Sequence, residues 1–306
     1  MTLSLKNICK SFGSKQVLND VGFAVSAGEA LGYLGRNGAG KTTTIRIIAD
    51  IFRPDSGQVL LDGKPINRSK ISVGYLPEER GLYPKTKVGE QMIYIGELKG
   101  MTSSAAKKSA MQLLEEVEGS EYWSKKLDTL SKGNQQKIQL AIAVLNNPDI
   151  VILDEPFSGL DPVNATILKR LIMKQVSLGK IVLFSSHQMP YVEEFCENIV
   201  ILNKGQIVVN GKIKDIKRMY PRNRISVSPD GSAEVFLKSL TNLEMWHKIT
   251  SDAVINGDTL EITLINPENK NDLMQMLTTV TMGVDSINVI APTLEEIFVE
   301  KAGDKI

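Results

Sequence analysis

Hydrophobic and polar positions alternate through about the first 25 residues, the period of half-buried strands, with a turn at Gly13-Ser14. An apolar run over 29–34 predicts a strand that feeds a glycine-rich stretch, 35–40. A helical pattern opens at Lys41 and stops before Pro54, whose ring disfavours helix in the residue preceding it. Residues 55–76 read as strand and turn. From about 86 to 147 the texture is helical, with candidates over 88–98, 104–118 and 131–146. In the second of these, Ala110, Leu113, Leu114 and Val117 recur at the three-to-four spacing of one helix face. Strand texture returns at 150–153 and 181–184. Strands alternating with helices predict a mainly parallel sheet, with the helical block as an inserted subdomain. A basic stretch, KIKDIKRMYPRNR, then reads as a linker or an exposed helix end. Beyond it the pattern predicts a strand over 225–227, a helix over 233–240, strands near 245–249 and 260–264, a helix over 268–280, a strand over 286–290 and a helix over 294–302. This βαββαβ order with a closing helix predicts a ferredoxin-like plait.

Composition narrows the classes. A chain of 306 residues points to two domains, and 42% hydrophobic with 23% charged residues is ordinary for a globular protein. A net charge of +1 gives no sign of a nucleic-acid partner. Cys9 and Cys196 are the only cysteines, which argues against a disulfide framework or a zinc site and fits a reducing cytosol. The N-terminal residues hold no long apolar stretch of a secretory signal, and no run of 18 apolar residues occurs. Any membrane role is therefore expected to be exercised from the side.

Gly35-Arg36-Asn37-Gly38-Ala39-Gly40-Lys41-Thr42 fits G-x-x-x-x-G-K-[ST] and stands between an apolar strand and a helix start. Glycines let the backbone curl so that N–H groups converge on phosphate oxygens, and the new helix adds its positive end. Lys41 supplies a point charge for the β- and γ-phosphates, and the Thr42 hydroxyl is placed to hold Mg²⁺. With Thr43, these residues form the expected ATP cradle. The bland alternative is a glycine turn before a helix, which the flanking elements disfavour.

Residues 150–156, IVILDEP, form an apolar strand ending in two carboxylates. Strand ends of parallel sheets are where ligands sit. Alternation along the strand would point Asp154 and Glu155 in different directions, Asp154 to Mg²⁺ and Glu155 to the attacking water. The alternative is a solvated acidic turn. His187, just past a second apolar strand through Ser185-Ser186, could touch the γ-phosphate and order the water, although a lone histidine is more often structural. His247 is assigned no role.

The order of these features resembles the nucleotide-binding domain of ABC ATPases. It runs over about residues 2–215: strand, phosphate loop, helical insert, Leu130-Ser131-Lys132-Gly133-Asn134-Gln135-Gln136, acidic strand, Ser158-Gly159-Leu160-Asp161 and Ser186-His187. The resemblance implies an α/β fold of the P-loop NTPase, ABC ATPase type over 1–215, with a helical subdomain at about 86–147. A small α+β domain over 216–306 would follow. It implies ATP and Mg²⁺ as cofactors and Lys41, Glu155 and His187 as catalytic residues. Phe12, 23 residues before Gly35, takes the place of the aromatic that stacks on adenine. Ser131, Gly133 and Gln135 belong to a signature that reaches the γ-phosphate held by the opposite subunit, and Asp161 joins the nucleotide-binding set. Each site would thus be built from two chains, in a homodimer or a heterodimer. Two departures stand out. Lys132 and Asn134 replace the Gly and Gln of the family consensus. Glu78 replaces a Gln that contacts Mg²⁺ and links the site to the membrane partner, so Thr42, Glu78 and Asp154 are the candidate metal ligands.

LPEERGLYPK and the ending APTLEEIFVE are similar to the ATPases of type-2 ABC exporters, including the sodium-extrusion subgroup. That similarity implies an ATPase peripheral on the inner, cytoplasmic face of the cell membrane, powering a separate integral-membrane permease. A sodium ion, a drug or a peptide are the candidate substrates. The rival expectation is a soluble ABC ATPase switching on a ribosome or nucleic acid. Translation-type members usually carry two phosphate loops, and DNA-repair members carry a long coiled coil or zinc motifs. This sequence has one phosphate loop and neither insert, so no nucleic acid is expected.

Overall fold

The computed structural model describes residues 1–67, 69–79 and 81–303; Arg80, in the LPEERGLYPK stretch, lies outside the described residues. The chain forms two units: Met1–Ile213 with the closing residues from Phe298, and Lys214–Ile297.

The first unit carries two sheets. Strands β1 (Thr2–Phe12) and β2 (Lys15–Ser26) form the expected antiparallel hairpin, and β4 (Ser56–Leu61) and β5 (Lys64–Pro65) extend it in the order β2-β1-β4-β5. The second sheet is built from β3 (Ala30–Gly35), β6 (Val73–Leu76), β7 (Ile150–Asp154), β8 (Ile181–Ser185), β9 (Asn198–Asn203) and β10 (Gln206–Lys212). Its order is β10-β9-β3-β8-β7-β6, parallel throughout except for the edge strand β10. Every residue of β3, β7 and β8 is buried. Their unbroken apolar runs are what parallel strands covered on both faces require, whereas β2 largely alternates. Leu18, Tyr33, Ile45, Ile48, Ile152, Leu183 and Val200 share one core, each such side chain worth roughly 1.5–3 kcal/mol on burial.

Helix α1 (Lys41–Ile48) follows β3 directly. The helical block is α2 (Val88–Leu98), α3 (Ser103–Glu116) and α4 (Lys132–Ala143), followed after β7 by α5 (Pro162–Ser177) and after β8 by α6 (Met189–Phe195). Ala110, Leu113 and Leu114 of α3 are buried, and Val117 closes the same face. Because β3, β7 and β8 are parallel neighbours, their C-terminal residues Gly35, Asp154 and Ser185 gather at one sheet end.

Helix α7 (Ile213–Arg218) leads to β11 (Arg224–Pro229), α8 (Ala233–Thr241), α9 (Trp246–Ile249), β12 (Thr250–Asn256), β13 (Thr259–Leu264), α10 (Lys270–Thr279) and β14 (Val284–Ile290). The antiparallel order β12-β13-β11-β14 is that of the ferredoxin-like plait. Ile225, Val227, Phe236, Leu240, Leu260, Ile262 and Leu273 form its core. The strand expected near 245–249 is instead the short helix α9. Trp246 and Ile249 both bury at i,i+3 spacing, and the Thr250 hydroxyl donates to the Trp246 carbonyl, so one helical turn satisfies the segment before β12 begins. Helix α11 (Leu294–Ala302) closes the described chain. No described helix is long and apolar enough to cross a membrane.

Candidate functional site

The phosphate loop turns on left-handed glycines. Gly38 has φ 79° and Gly40 φ 111°, and a Cβ on Gly40 would stand 2.6 Å from Leu18 Cδ2. The curl closes on itself, with the Ala39 N–H donating to the Arg36 carbonyl at 3.1 Å. Helix α1 starts at Lys41 with no side-chain cap, leaving its first N–H groups for a ligand. Lys41 is buried, and its Nζ donates to the Gly35 carbonyl at 2.7 Å and the Arg36 carbonyl at 3.4 Å. One turn on, Thr44 Oγ1 accepts from the Tyr33 hydroxyl at 3.0 Å, fixing the helix to β3.

Above this loop opens a cavity of about 960 Å³. It is lined by all of Gly35 to Thr43 together with Glu78, Glu155 and His187. The residues expected to cradle ATP, the three expected to be catalytic, and Thr42 and Glu78 of the expected metal ligands therefore line one space.

Glu155 is where the chain leaves β7. It is buried and takes a left-handed φ of 51°, unusual for a non-glycine residue and a mark of strain held by its surroundings. Its N–H donates to the Ser185 carbonyl of β8 at 3.1 Å, and its Oε2 lies 2.9 Å from His187 Nδ1. Burial raises the carboxyl above its ordinary range; the hydrogen bond and charge of His187, and the charge of Lys41, oppose that rise without cancelling it. A carboxyl raised by burial holds its proton more tightly than an ordinary one, which favours a proton-accepting role.

Asp154 is 1% exposed. One carboxylate oxygen accepts from the Ser185 hydroxyl; the other, Oδ2, finds no donor among the described residues. A buried carboxylate oxygen in that state is costly unless a cation completes it, so the donor set fits Mg²⁺. Tyr75 stands nearby: burial raises its phenol most, the Asp154 charge adds to that, a hydrogen bond from Arg46 and its charge oppose it, and the Glu78 charge contributes a smaller rise.

The remaining expected residues lie elsewhere. Phe12 is 47% exposed and does not line the cavity; its ring meets Phe52 edge-on at 5.6 Å, and Lys10 Nζ stands 5.6 Å from its centroid. Ser131 caps α4, its hydroxyl accepting from the Asn134 N–H at 3.3 Å. Gln135 is buried, with Nε2 donating to the Leu130 carbonyl at 2.8 Å. Asp161 caps α5: its carboxylate takes the N–H of Asn164 at 2.8 Å and also the Asn164 side-chain amide, which holds its pKa below the ordinary value. A Cβ on Gly133 would stand 2.7 Å from Asn164 Nδ2, so the signature turn and the Asp161 cap touch each other and not the cavity.

Lys15, Val17, Asn203, Lys204 and Phe298 also line the cavity, and none was expected from the sequence. Lys15 and Val17 carry no motif. Asn203 and Lys204 sit in the Asn-Lys-Gly turn after an apolar strand, a pattern that flags a turn but no ligand. Phe298 sits in the closing APTLEEIFVE, which the periodicity reads as an amphipathic helix.

Residues 18–158 match the family described as ABC transporter, and residues 211–302 match the ATP-binding protein DrrA1-3-like, C-terminal domain. The chain is 40% identical over 302 residues, 98% of each protein, to the uncharacterized ABC transporter ATP-binding protein YhaQ of Bacillus subtilis (strain 168). It is 29% identical over 309 residues, again 98% of each, to the linearmycin resistance ATP-binding protein LnrL of the same organism. Among solved structures, an ATP-binding subunit of an ABC transporter superposes with a TM-score of 0.66 at 30% identity, covering 72% of this chain and 93% of that one.

Proposed function

The chain belongs to the family of ABC transporter ATP-binding proteins, and on that premise we propose that its ATP hydrolysis drives export through a separate integral-membrane permease. The observation that carries the hydrolytic half is the cavity in which Lys41, Thr42 and the Glu155–His187 pair share one space beside a left-handed phosphate loop. Its support for export is the LPEERGLYPK stretch and the closing segment APTLEEIFVE, similar to type-2 exporters, together with full-length similarity to a resistance ATP-binding protein.

In this reading, the phosphate-loop N–H groups and Lys41 hold the triphosphate and orient the γ-phosphate toward Glu155. Glu155 accepts hydrogen bonding from the attacking water, and His187, 2.9 Å from its carboxylate, orients it. Thr42, Asp154 and Glu78 would hold Mg²⁺, which when bound neutralises charge shared between the β- and γ-phosphates. Ser131 and Asp161 belong to the site of a second ATPase subunit, so two chains face each other across two nucleotides. The segment from Glu78 to Lys87, leading into α2, is the lever to the permease. A sodium ion, a drug or a peptide is the cargo class; the inner face of the cell membrane is the workplace.

Affinity purification of the tagged chain from detergent-solubilised membranes tests this. An integral-membrane protein should copurify in stoichiometric amount and stimulate ATP turnover. Recovery of ribosomal particles or nucleic acid in its place would sink the exporter reading.

A further inference from the structure

Each of the three described sheets ends in two edge strands, whose outer N–H and C=O groups are open to a further strand. Five of these six edges carry a device that discourages such pairing. β5 is two residues long, Lys64-Pro65, and β6 is four. β2 breaks register with β1 three times, β10 breaks once and ends on Gly211-Lys212, and β12 breaks beside Asp252. β14 is the exception. Its sequence, VDSINVI, has no lysine, arginine, proline or glycine, and its pairing with β11 is regular from Ser286 to Ile290.

Asp285 to Val289 are all exposed. Ile287 stands opposite Val227 and Val289 opposite Ile225, and residues opposite each other across a ladder share a face of the sheet. Val227 and Ile225 are fully buried in the plait core, while Ile287 is 37% and Val289 46% exposed. The apolar face of that core therefore runs out to this edge and stops uncovered. An occupant must be an extended strand that continues the same apolar face. A second β14, antiparallel about Ile287, meets that demand. Ile287 then faces its own copy, Val284 faces Ile290, Ser286 faces Asn288 and Asp285 faces Val289. The two Asp285 carboxylates lie four positions apart, roughly 13 Å, beyond the screening length of physiological salt.

We propose that β14 is a homotypic pairing edge, joining the second unit to that of a second copy of this chain in one continuous antiparallel sheet. The occupant is a second copy because the strand is its own complement in register and charge. The two-chain ATP site proposed above also brings a second ATPase subunit alongside, where proximity strengthens a weak contact. The pairing rests on that reading only for its partner's nearness and itself needs no nucleotide.

Analytical ultracentrifugation of the full chain without nucleotide tests this. I287K and I287E each set like charges face to face at the twofold axis, and each should weaken the native dimer about tenfold or more. Mixed in equal amounts, the two variants should pair again, because Lys then faces Glu. V254K, on an exposed side chain of the other edge strand β12, should stay dimeric. Should either charged variant fold poorly, I287C carries the same reading: mild oxidation should link two chains through it, and should not link the native chain or V254C. A native chain that is monomeric without nucleotide, charge variants that remain dimeric, a mixture that does not reassociate, or an I287C chain that gives no such link would each overturn the proposal. Failure of ATP to drive association of E155Q through the cavity, with the nucleotide-free dimer intact, would instead overturn the two-chain ATP site and leave the β14 pairing standing.

Discussion

The phosphate-loop cavity and the signature turn are opposites in how their polar groups are satisfied. At the cavity, Glu155 is buried with a left-handed backbone and a raised carboxyl, and one buried oxygen of the adjacent Asp154 finds no donor among the described residues. At the signature turn, Ser131 and Asp161 each satisfy an N–H of the helix they cap, and Asp161 is held below its ordinary pKa by that bonding. The first region stores electrostatic deficit that a nucleotide and cation would relieve. The second is a finished pair of helix starts, joined through Asn164, whose capping residues do not line the cavity. A cavity with unmet charge and a separate pair of capped helix starts fit the proposal above that each site is shared between two chains.

The largest break in that contrast comes from Glu155. E155Q should lower ATP turnover by about 10²–10⁴-fold, the usual contribution of a positioned base, while ATP binding persists and drives association of two chains. Steady-state hydrolysis with light scattering in ATP checks both halves; full turnover in the variant would remove Glu155 from the mechanism.

The same residue fixes a pH dependence of stability. Its native carboxyl lies above the ordinary 4.5, so the folded state holds the proton more tightly than the unfolded state. Its contribution to stability is fully present below pH 4.5 and is lost as pH rises through the raised native value. The buried charge is therefore a burden at neutral pH, and E155Q should melt higher than the native chain there. That advantage should shrink toward pH 4.5, as thermal melts across the interval would register. An advantage independent of pH would show that the carboxylate is not strained by burial.

At the signature turn the effects should be unlike in kind. As a cap alone, Ser131 is worth roughly 1 kcal/mol, a small shift in melting. As a donor to the γ-phosphate on a second chain, its removal should cut turnover about tenfold or more with the ATP affinity of one isolated chain unchanged. S131A measured for both quantities sharpens the comparison: a melting shift with native turnover leaves only the cap.

Much of the cavity is legible in the sequence because its parts are consecutive. Gly35 to Thr43 and Asp154-Glu155 each sit at a strand end, and a parallel sheet brings strand ends together. The plait of the second unit follows from element order alone. What local pattern misses is decided by distant partners. Strand alternation would have aimed Glu155 simply opposite to Asp154. Its direction is set by a φ of 51° and by Ser185 on the neighbouring strand, thirty positions on. Trp246 and Ile249 carry strand-forming side chains, yet both bury by forming one helical turn. Phe12 stands where a motif would put a base-stacking ring, and its edge-on contact with Phe52, which no spacing rule records, leaves it 47% exposed. Phe298 reaches the cavity from the far end of the chain, a closeness no spacing rule records.

The smallest effect belongs to Glu78, and it tests where the cavity ends. Glu78 lines the cavity and its charge is felt at Tyr75, yet its side chain is exposed, so water and salt screen it from the phosphates. E78Q removes one negative charge without changing size. If Glu78 is a metal ligand, the neutral amide should bind Mg²⁺ less tightly, raising the magnesium concentration for half-maximal hydrolysis by a few-fold. At saturating magnesium, losing a repulsion beside the γ-phosphate should raise turnover by less than about fivefold, the scale left to a screened charge. Titrating magnesium at fixed ATP separates the two, because they move the midpoint and the plateau independently. If neither moves, Glu78 borders the cavity without serving it, and the metal-binding deficit rests on Asp154 and Thr42 alone.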